Sequence, residues 1–174
     1  MANLTPPVNE HDQQTGSSNA PVTLVEYGDY QCPHCAQAHP LVKQLLEEKG
    51  DQVRFVYRNF PLSQSHAMAK PAAQAAEAAG QQGKFWEMHD MIFENQKQLD
   101  QDSLNKFAES LDLDVGKFSK DKESEEVASK VEEDFESGIR SGVNGTPSFF
   151  INGERLETYD GSYESLSTAV EAQK

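Results

Sequence analysis

The chain has only two cysteines and one tryptophan in 174 residues. With no third cysteine, no structural disulfide can accompany a reactive pair. Cations are scarce too: 15 Lys and Arg stand against 29 Asp and Glu, a formal charge of −14. That balance argues against nucleic acid and anionic membrane surfaces as partners. No stretch approaches the roughly 18 consecutive apolar residues of a membrane span. Residues 1–20 have neither the basic start nor the apolar core of a signal peptide. As written the chain reads as cytoplasmic; removal of a signal peptide would leave a similar sequence, and the location would then be periplasmic or extracellular. There is no phosphate-cradling glycine loop, no Ser/His/Asp series and no basic aromatic surface. Leu, Ile, Val and Phe total only 35, near the lower limit for a folded chain, so alanine must supply part of the core.

What is present is periodicity, on a length that suits one domain or one domain with a large insertion. Residues 1–20 are polar, with Pro6-Pro7 and Ser17-Ser18-Asn19, and read as an arm with a loosely held start. Within 21–62, Val22 to Tyr27 reads as a short buried strand. Ala38, Leu41, Val42, Leu45 and Leu46 follow with the spacing of one helix face, from about Cys32 to Lys49, with Gly50 as C-cap. Pro40 inside that helix removes one backbone bond and predicts a bend. Val53 to Arg58 reads as a second strand.

From 63 to 140 no strand is evident, and the pattern predicts four or five helices. Ala72–Ala79 is one. Phe85, Trp86, His89, Ile92 and Phe93 form a stripe on the next. Leu104, Phe107, Ala108 and Leu111 follow a polar start at Asp102-Ser103. Val127, Val131 and Phe135 recur every four residues. Residues 112–136 hold ten acids and four lysines, which reads as a solvated helical face. Gly138, Gly142 and Gly145 then loosen the backbone. Within 141–174, Ser148–Ile151, the turn pair Asn152-Gly153 and Glu154–Leu156 form a hairpin, and Ser162 to about Gln173 a closing helix.

The two cysteines fall at Cys32-Pro33-His34-Cys35, between the first strand and the first helix. Strand, Cys-x-x-Cys, helix, then strand, hairpin and helix, resembles the thioredoxin fold. The all-helical insertion between the second strand and Thr146-Pro147, together with the tetrapeptide itself, resembles the DsbA family of thiol–disulfide oxidoreductases. Further likenesses are Gly145-Thr146-Pro147 to the family's cis-proline loop, Pro40 to the helix-kinking proline, and Glu26 to the buried acid six residues before the first cysteine. Gly16, Ala20-Pro21-Val22 and Gly83-Lys84-Phe85-Trp86 are also similar to the small bacterial members.

The resemblance implies a bacterial α/β enzyme that exchanges disulfides with protein or peptide thiols. A helix N-terminus favours a thiolate, so Cys32 is the expected exposed nucleophile and Cys35, one turn in, the resolving thiol. No Lys or Arg occurs between residues 21 and 42, so the helix N–H groups and the His34 imidazole are expected to stabilise Cys32. Glu26 would relay a proton to or from Cys35, unless it is a strand-end carboxylate facing solvent. Thr146 and Pro147 would hold an extended substrate. With two cysteines the protein cannot recycle itself and needs an external redox partner, either a quinone-linked oxidant or a thioredoxin- or glutathione-type reductant. A cytosolic reductase, a redox-stress protein or a non-catalytic peptide-binding module remain alternatives. No cofactor and no metal are expected. Cys32, His34, Cys35 and His39 are metal-binding types without the spacing of a zinc site, and Ala36 excludes c-type haem attachment. His66 and His89 read as capping or core histidines, and Trp86 as core.

Overall fold

A computed structural model describes residues 3–173. Five strands, β1 (Gln13–Gly16), β2 (Val22–Gly28), β3 (Val53–Asn59), β4 (Ser148–Ile151) and β5 (Glu154–Arg155), form one sheet in the order β1-β3-β2-β4-β5. The two apolar runs read as strands pair in parallel, Leu24 beside Phe55 and Glu26 beside Tyr57, and β4 pairs antiparallel on the other edge of β2. Helix α1 (Pro33–Lys49) is the crossover between β2 and β3. Helices α2 (Ala69–Gly80), α3 (Phe85–Glu94), α4 (Gln101–Ser110), α5 (Val115–Lys122) and α6 (Glu125–Arg140) make up the insertion, and α7 (Tyr163–Ala172) closes the chain. This is the expected thioredoxin fold with its helical insertion.

Alternation along the strands divides the core in two. Leu24, Phe55, Tyr57, Phe149 and Ile151 join the larger cluster with α1, α2 and α3. Val25, Tyr27, Val56 and Phe150 turn the other way and pack with Phe60 and Val143. The alanine run explains how so few large apolar residues suffice. Seven alanines of α2 are at most 2 % exposed, so neighbouring elements approach that helix closely on nearly every side. Polar bonds then fasten the insertion to the sheet. The Asn59 Nδ2 donates to Glu77 Oε2 at 2.8 Å and Asp134 Oδ2 at 2.9 Å, and Lys130 Nζ to Asp134 Oδ2 at 2.9 Å.

Three expectations are corrected. The first concerns residues 1–20, which are not a loose arm among those described. Gln13–Gly16 forms an antiparallel edge strand on β3, and Leu4 is buried. Asp12 makes a bidentate pair with buried Arg58, Nε–Oδ1 at 2.8 Å and Nη2–Oδ2 at 2.9 Å. Polar composition concealed this because the segment is held by backbone pairing and one charge pair.

The second correction is Gly138, which lies inside α6, where a Cβ would sit 2.5 Å from the Phe60 ring. It serves close packing, with no loosening of the backbone. Gly138→Ala is expected to cost about 1–3 kcal/mol by overpacking, read as a lower urea midpoint with an unchanged m-value. Lastly, the cap of α4 is Asp100, whose side chain accepts from the Ser103 N–H at 2.7 Å, two residues ahead of the expected polar start. The turn pair does behave as read: Asn152 (φ 47°) and Gly153 (φ 87°) both take the left-handed backbone of a tight hairpin.

Candidate active site

Cys32 is the N-cap of α1, with extended backbone, and Pro33 opens the helix. Proline is suited to that place because its missing N–H would be unpaired there anyway. The Cys32 sulfur is left facing the first free N–H groups of the helix. Its pKa is brought down to about 5. The largest cause is the hydrogen bond from the Cys35 thiol. Burial opposes it, and the Thr146 side chain nearby and the backbone N–H groups of Cys35 and His34 add to it. When protonated, the Cys32 thiol donates to the Thr146 carbonyl at 3.5 Å. Thr146–Pro147 is a cis peptide, and its loop roofs the sulfur.

That roof changes one expectation. Cys32 is only 5 % exposed, against 0 % for Cys35. The order is as expected, but the nucleophile is narrowly accessible because Thr146 covers it. His34 also departs from its expected part. It is exposed, its backbone N–H acts on Cys32, and its imidazole makes no hydrogen bond among the described residues.

Cys35 is pushed well above the ordinary thiol range, first by burial, then by its bond to Cys32 and the charge of Glu26. Its sulfur accepts from the Asp29 N–H at 3.5 Å. Glu26 lies on the strand face shared with Leu24, under α1, and is 3 % exposed. Burial lifts its carboxyl to about 8, with the Cys32 charge adding to the rise. The solvent-facing alternative for Glu26 is therefore ruled out, and a protonated carboxyl stands near the buried thiol at neutral pH.

The split in thiol acidity predicts how stability varies with pH. A group whose pKa is lower folded than unfolded stabilises the fold as pH rises from the folded value to the unfolded one. For Cys32 that window runs from about 5 to the ordinary thiol value of 9.0. Only the reduced protein has these thiols, so its stability relative to the disulfide form is expected to be flat below that window, to climb across it, and to fall above it, where the raised Cys35 thiol ionises more readily in the unfolded chain. Urea melts of both forms at pH 4, 6 and 8 would check it; parallel curves would contradict the thiolate assignment.

Several residues of the site had no clear sequence signal. Asp29 is fully buried and stitches the loop before α1 to the loop after β3. Its Oδ1 accepts from Gln31 N at 2.8 Å, and its Oδ2 accepts from Leu62 N at 3.0 Å and meets His66 Nδ1 at 2.7 Å. An Asp after Gly in a turn hinted at backbone bonding, but not at its partners. Gln96, from the insertion, donates to the Tyr30 and Cys32 carbonyls at 2.9 Å each. Tyr159 has its hydroxyl pushed up to about 12 by burial and by the charges of Glu26 and Cys35. With Pro147, Phe149 and Leu156 it lines a cavity of about 270 Å³ beside the cis-proline loop. Among the expected metal-binding types, His39 is grouped with His89 and Asp90.

A two-cysteine helix N-terminus under a cis-proline loop, on this sheet, defines a thiol–disulfide oxidoreductase site. Comparison with known proteins agrees. The family model described as thioredoxin matches residues 8–172. The structure superimposes on oxidised BdbD from Bacillus subtilis with a TM-score of 0.84, at 25 % identity over 99 % of this chain and 97 % of that one. It matches a thioredoxin-like oxidoreductase from Silicibacter pomeroyi with a TM-score of 0.81, at 28 % identity over 94 % and 92 % of the two chains. The chain belongs to the thioredoxin family, with the fold of its DsbA-like members.

In sequence it is also 45 % identical over 173 residues to a protein of Salinispora arenicola named Na(+)/H(+) antiporter NhaA 1, covering 98 % of this chain and 26 % of that protein. The chain thus spans about a quarter of the curated relatives it matches. Among the described residues no helix is long and apolar enough to cross a membrane.

Proposed function

We propose that the protein oxidises pairs of protein thiols to disulfides, in the manner of a DsbA-like oxidase. The observation that carries this reading is the asymmetry of the pair: one sulfur held as an anion at a helix mouth, the other buried and protonated. Interactions that favour the Cys32 thiolate exist only in the reduced protein, so they draw the couple towards the dithiol and make the disulfide an oxidant.

In the forward reaction a substrate thiolate attacks Cys32 Sγ of the Cys32–Cys35 disulfide. The S–S bond breaks, and Cys35 leaves with the electron pair and takes a proton. Glu26, protonated at neutral pH, is the nearby donor. A second substrate thiolate attacks the substrate sulfur of the mixed disulfide, and Cys32 departs as a stable thiolate. Substrate leaves with a disulfide and the enzyme leaves with two reduced thiols. An external oxidant, quinone-linked in this reading, must restore the pair. The backbone of Thr146 and the cavity beside Pro147 would hold an extended substrate segment by strand addition. Such an oxidase works where disulfides persist, outside the cytoplasm. The antiport named for the curated relatives is assigned to the part of their length outside the match.

Titration against glutathione buffers, alongside oxidative refolding of a reduced protein and an insulin-reduction assay, tests the direction. The expected reduction potential lies well above the roughly −270 mV of thioredoxin, with refolding catalysed and insulin reduced slowly. A potential at or below that mark, with fast insulin reduction, would make the protein a reductase. Absence of both activities with an inert disulfide would leave the peptide-binding module.

A further inference from the structure

One turn beyond Cys35, α1 turns His39 inward against α3. His39 is 7 % exposed, and its Nε2 is buried without a hydrogen-bond partner. That nitrogen is 3.4 Å from Asp90 Oδ1 and 3.8 Å from Glu94 Oε2. His89, 3 % exposed, completes the group: donor atoms of His39, His89 and Asp90 all lie within 4.8 Å of one another. The buried nitrogen is thus aimed between two carboxylate oxygens. Two ligands of one tetrahedral zinc, each about 2.0–2.1 Å from the metal, stand ~3.4 Å apart. His39 Nε2 and Asp90 Oδ1 stand at that separation, with Glu94 Oε2 and the nearest His89 nitrogen somewhat further out.

We infer that His39, His89, Asp90 and Glu94 form a binding site for a first-row divalent cation of the zinc class, which ties the redox helix α1 to the inserted helix α3. Imidazole and carboxylate donors in this ratio suit zinc and its neighbours over calcium or magnesium, which take oxygen ligands. The Tyr30 hydroxyl lies 2.8 Å from His89 Nδ1, in the manner of the outer partners that orient a ligating ring. One cation already stands at the rim: Lys43 Nζ is 3.5 Å from Asp90 Oδ2 and 3.6 Å from Glu94 Oε2. Half-exposed, it competes for the acids and must swing aside when a metal enters. Sequence alone could not find this site, because His39 lies 50 residues before His89 and the pair meets only when α1 packs on α3.

Chelator-treated protein in its Cys32–Cys35 disulfide form, which removes the thiols as competing ligands, is titrated calorimetrically with Zn²⁺. One equivalent is expected to bind with micromolar or tighter affinity and to raise the melting temperature. His39→Gln is expected to weaken binding at least ~10-fold, and Lys43→Ala to strengthen it by freeing the acids. Should His39→Gln not fold, Glu94→Gln, at an exposed position, is expected to weaken binding and serves in its place. No saturable binding below millimolar Zn²⁺ in the folded wild type would overturn the site. So would an affinity unchanged by His39→Gln or Glu94→Gln, since that would mean scattered binding to surface acids.

Discussion

Cys35→Ala is expected to move the titration of Cys32 from about 5 back towards that of an ordinary cysteine, and to trap the mixed disulfide that forms when Cys32 attacks a substrate disulfide, the reverse of the proposed oxidation. The Cys35 thiol is the leading donor to the Cys32 sulfur, ahead of the Thr146 side chain and the helix N–H groups. Without it, burial of Cys32 is opposed by fewer dipoles, and the anion loses ground. Each pKa unit recovered is about 1.4 kcal/mol, a factor of ~10 in the thiolate-to-thiol ratio. Cys35→Ser separates the two roles, since a hydroxyl can still donate to Cys32 but cannot resolve a disulfide. Given a disulfide-bonded substrate, both variants should therefore accumulate covalent adducts with it, seen by mass, while only the alanine variant shifts the thiolate absorbance profile to higher pH. An alanine profile matching the wild type would mean that the helix N–H groups alone set the acidity of Cys32.

The second large effect lies far from the sulfurs. Asp12→Ala is expected to cost about 3–5 kcal/mol of folding stability, the usual result of leaving one member of a buried ion pair uncompensated. The Arg58 side chain is 2 % exposed and that of Asp12 5 %. Two of the guanidinium bonds go to that carboxylate, and a third goes to Tyr27 Oη at 2.9 Å. Asp12→Asn, which keeps acceptors but no charge, should fall between. The double variant Asp12→Ala, Arg58→Met should recover part of the loss, because no charge is then left buried. Denaturant midpoints of the four proteins measure it. A loss under about 1 kcal/mol for Asp12→Ala would put this pair with surface ion pairs, and the N-terminal segment would be a loose arm after all.

These two cases mark where the sequence could be read and where it could not. Strand–Cys-x-x-Cys–helix is a local pattern, and Val22–Gly28, Pro33–Lys49 and Val53–Asn59 came out within a residue or two of their expected ends. Glu26 was legible through the resemblance, which implies a buried acid six residues before the first cysteine; the strand pattern by itself left a solvent-facing carboxylate open. The Asp12–Arg58 pair was not, since 46 residues separate the partners and nothing local distinguishes a buried arginine from an exposed one. Asp29 was hidden for a different reason. Judged by charge it opposes a thiolate, whereas its carboxylate is consumed by backbone donors and His66, and only its N–H faces Cys35. His34 stands in the middle of the motif, and side-chain chemistry made it the obvious donor; the helix geometry uses its backbone and leaves the ring in solvent.

Among the described residues, the partners that stabilise the Cys32 anion are neutral dipoles of Cys35, Thr146 and His34, with no lysine or arginine in the set. Reduction therefore adds a negative charge that nothing nearby cancels, to a chain already at −14. In the proposed oxidation, substrate thiols meet the disulfide form, which lacks this charge, and the partner that meets the anion is the external oxidant. An oxidant with cations around its reactive group would then be drawn to the reduced form over the disulfide form, within a screening distance of about 8 Å at physiological salt. That preference, and its weakening in brine, would follow from the way this thiolate is held.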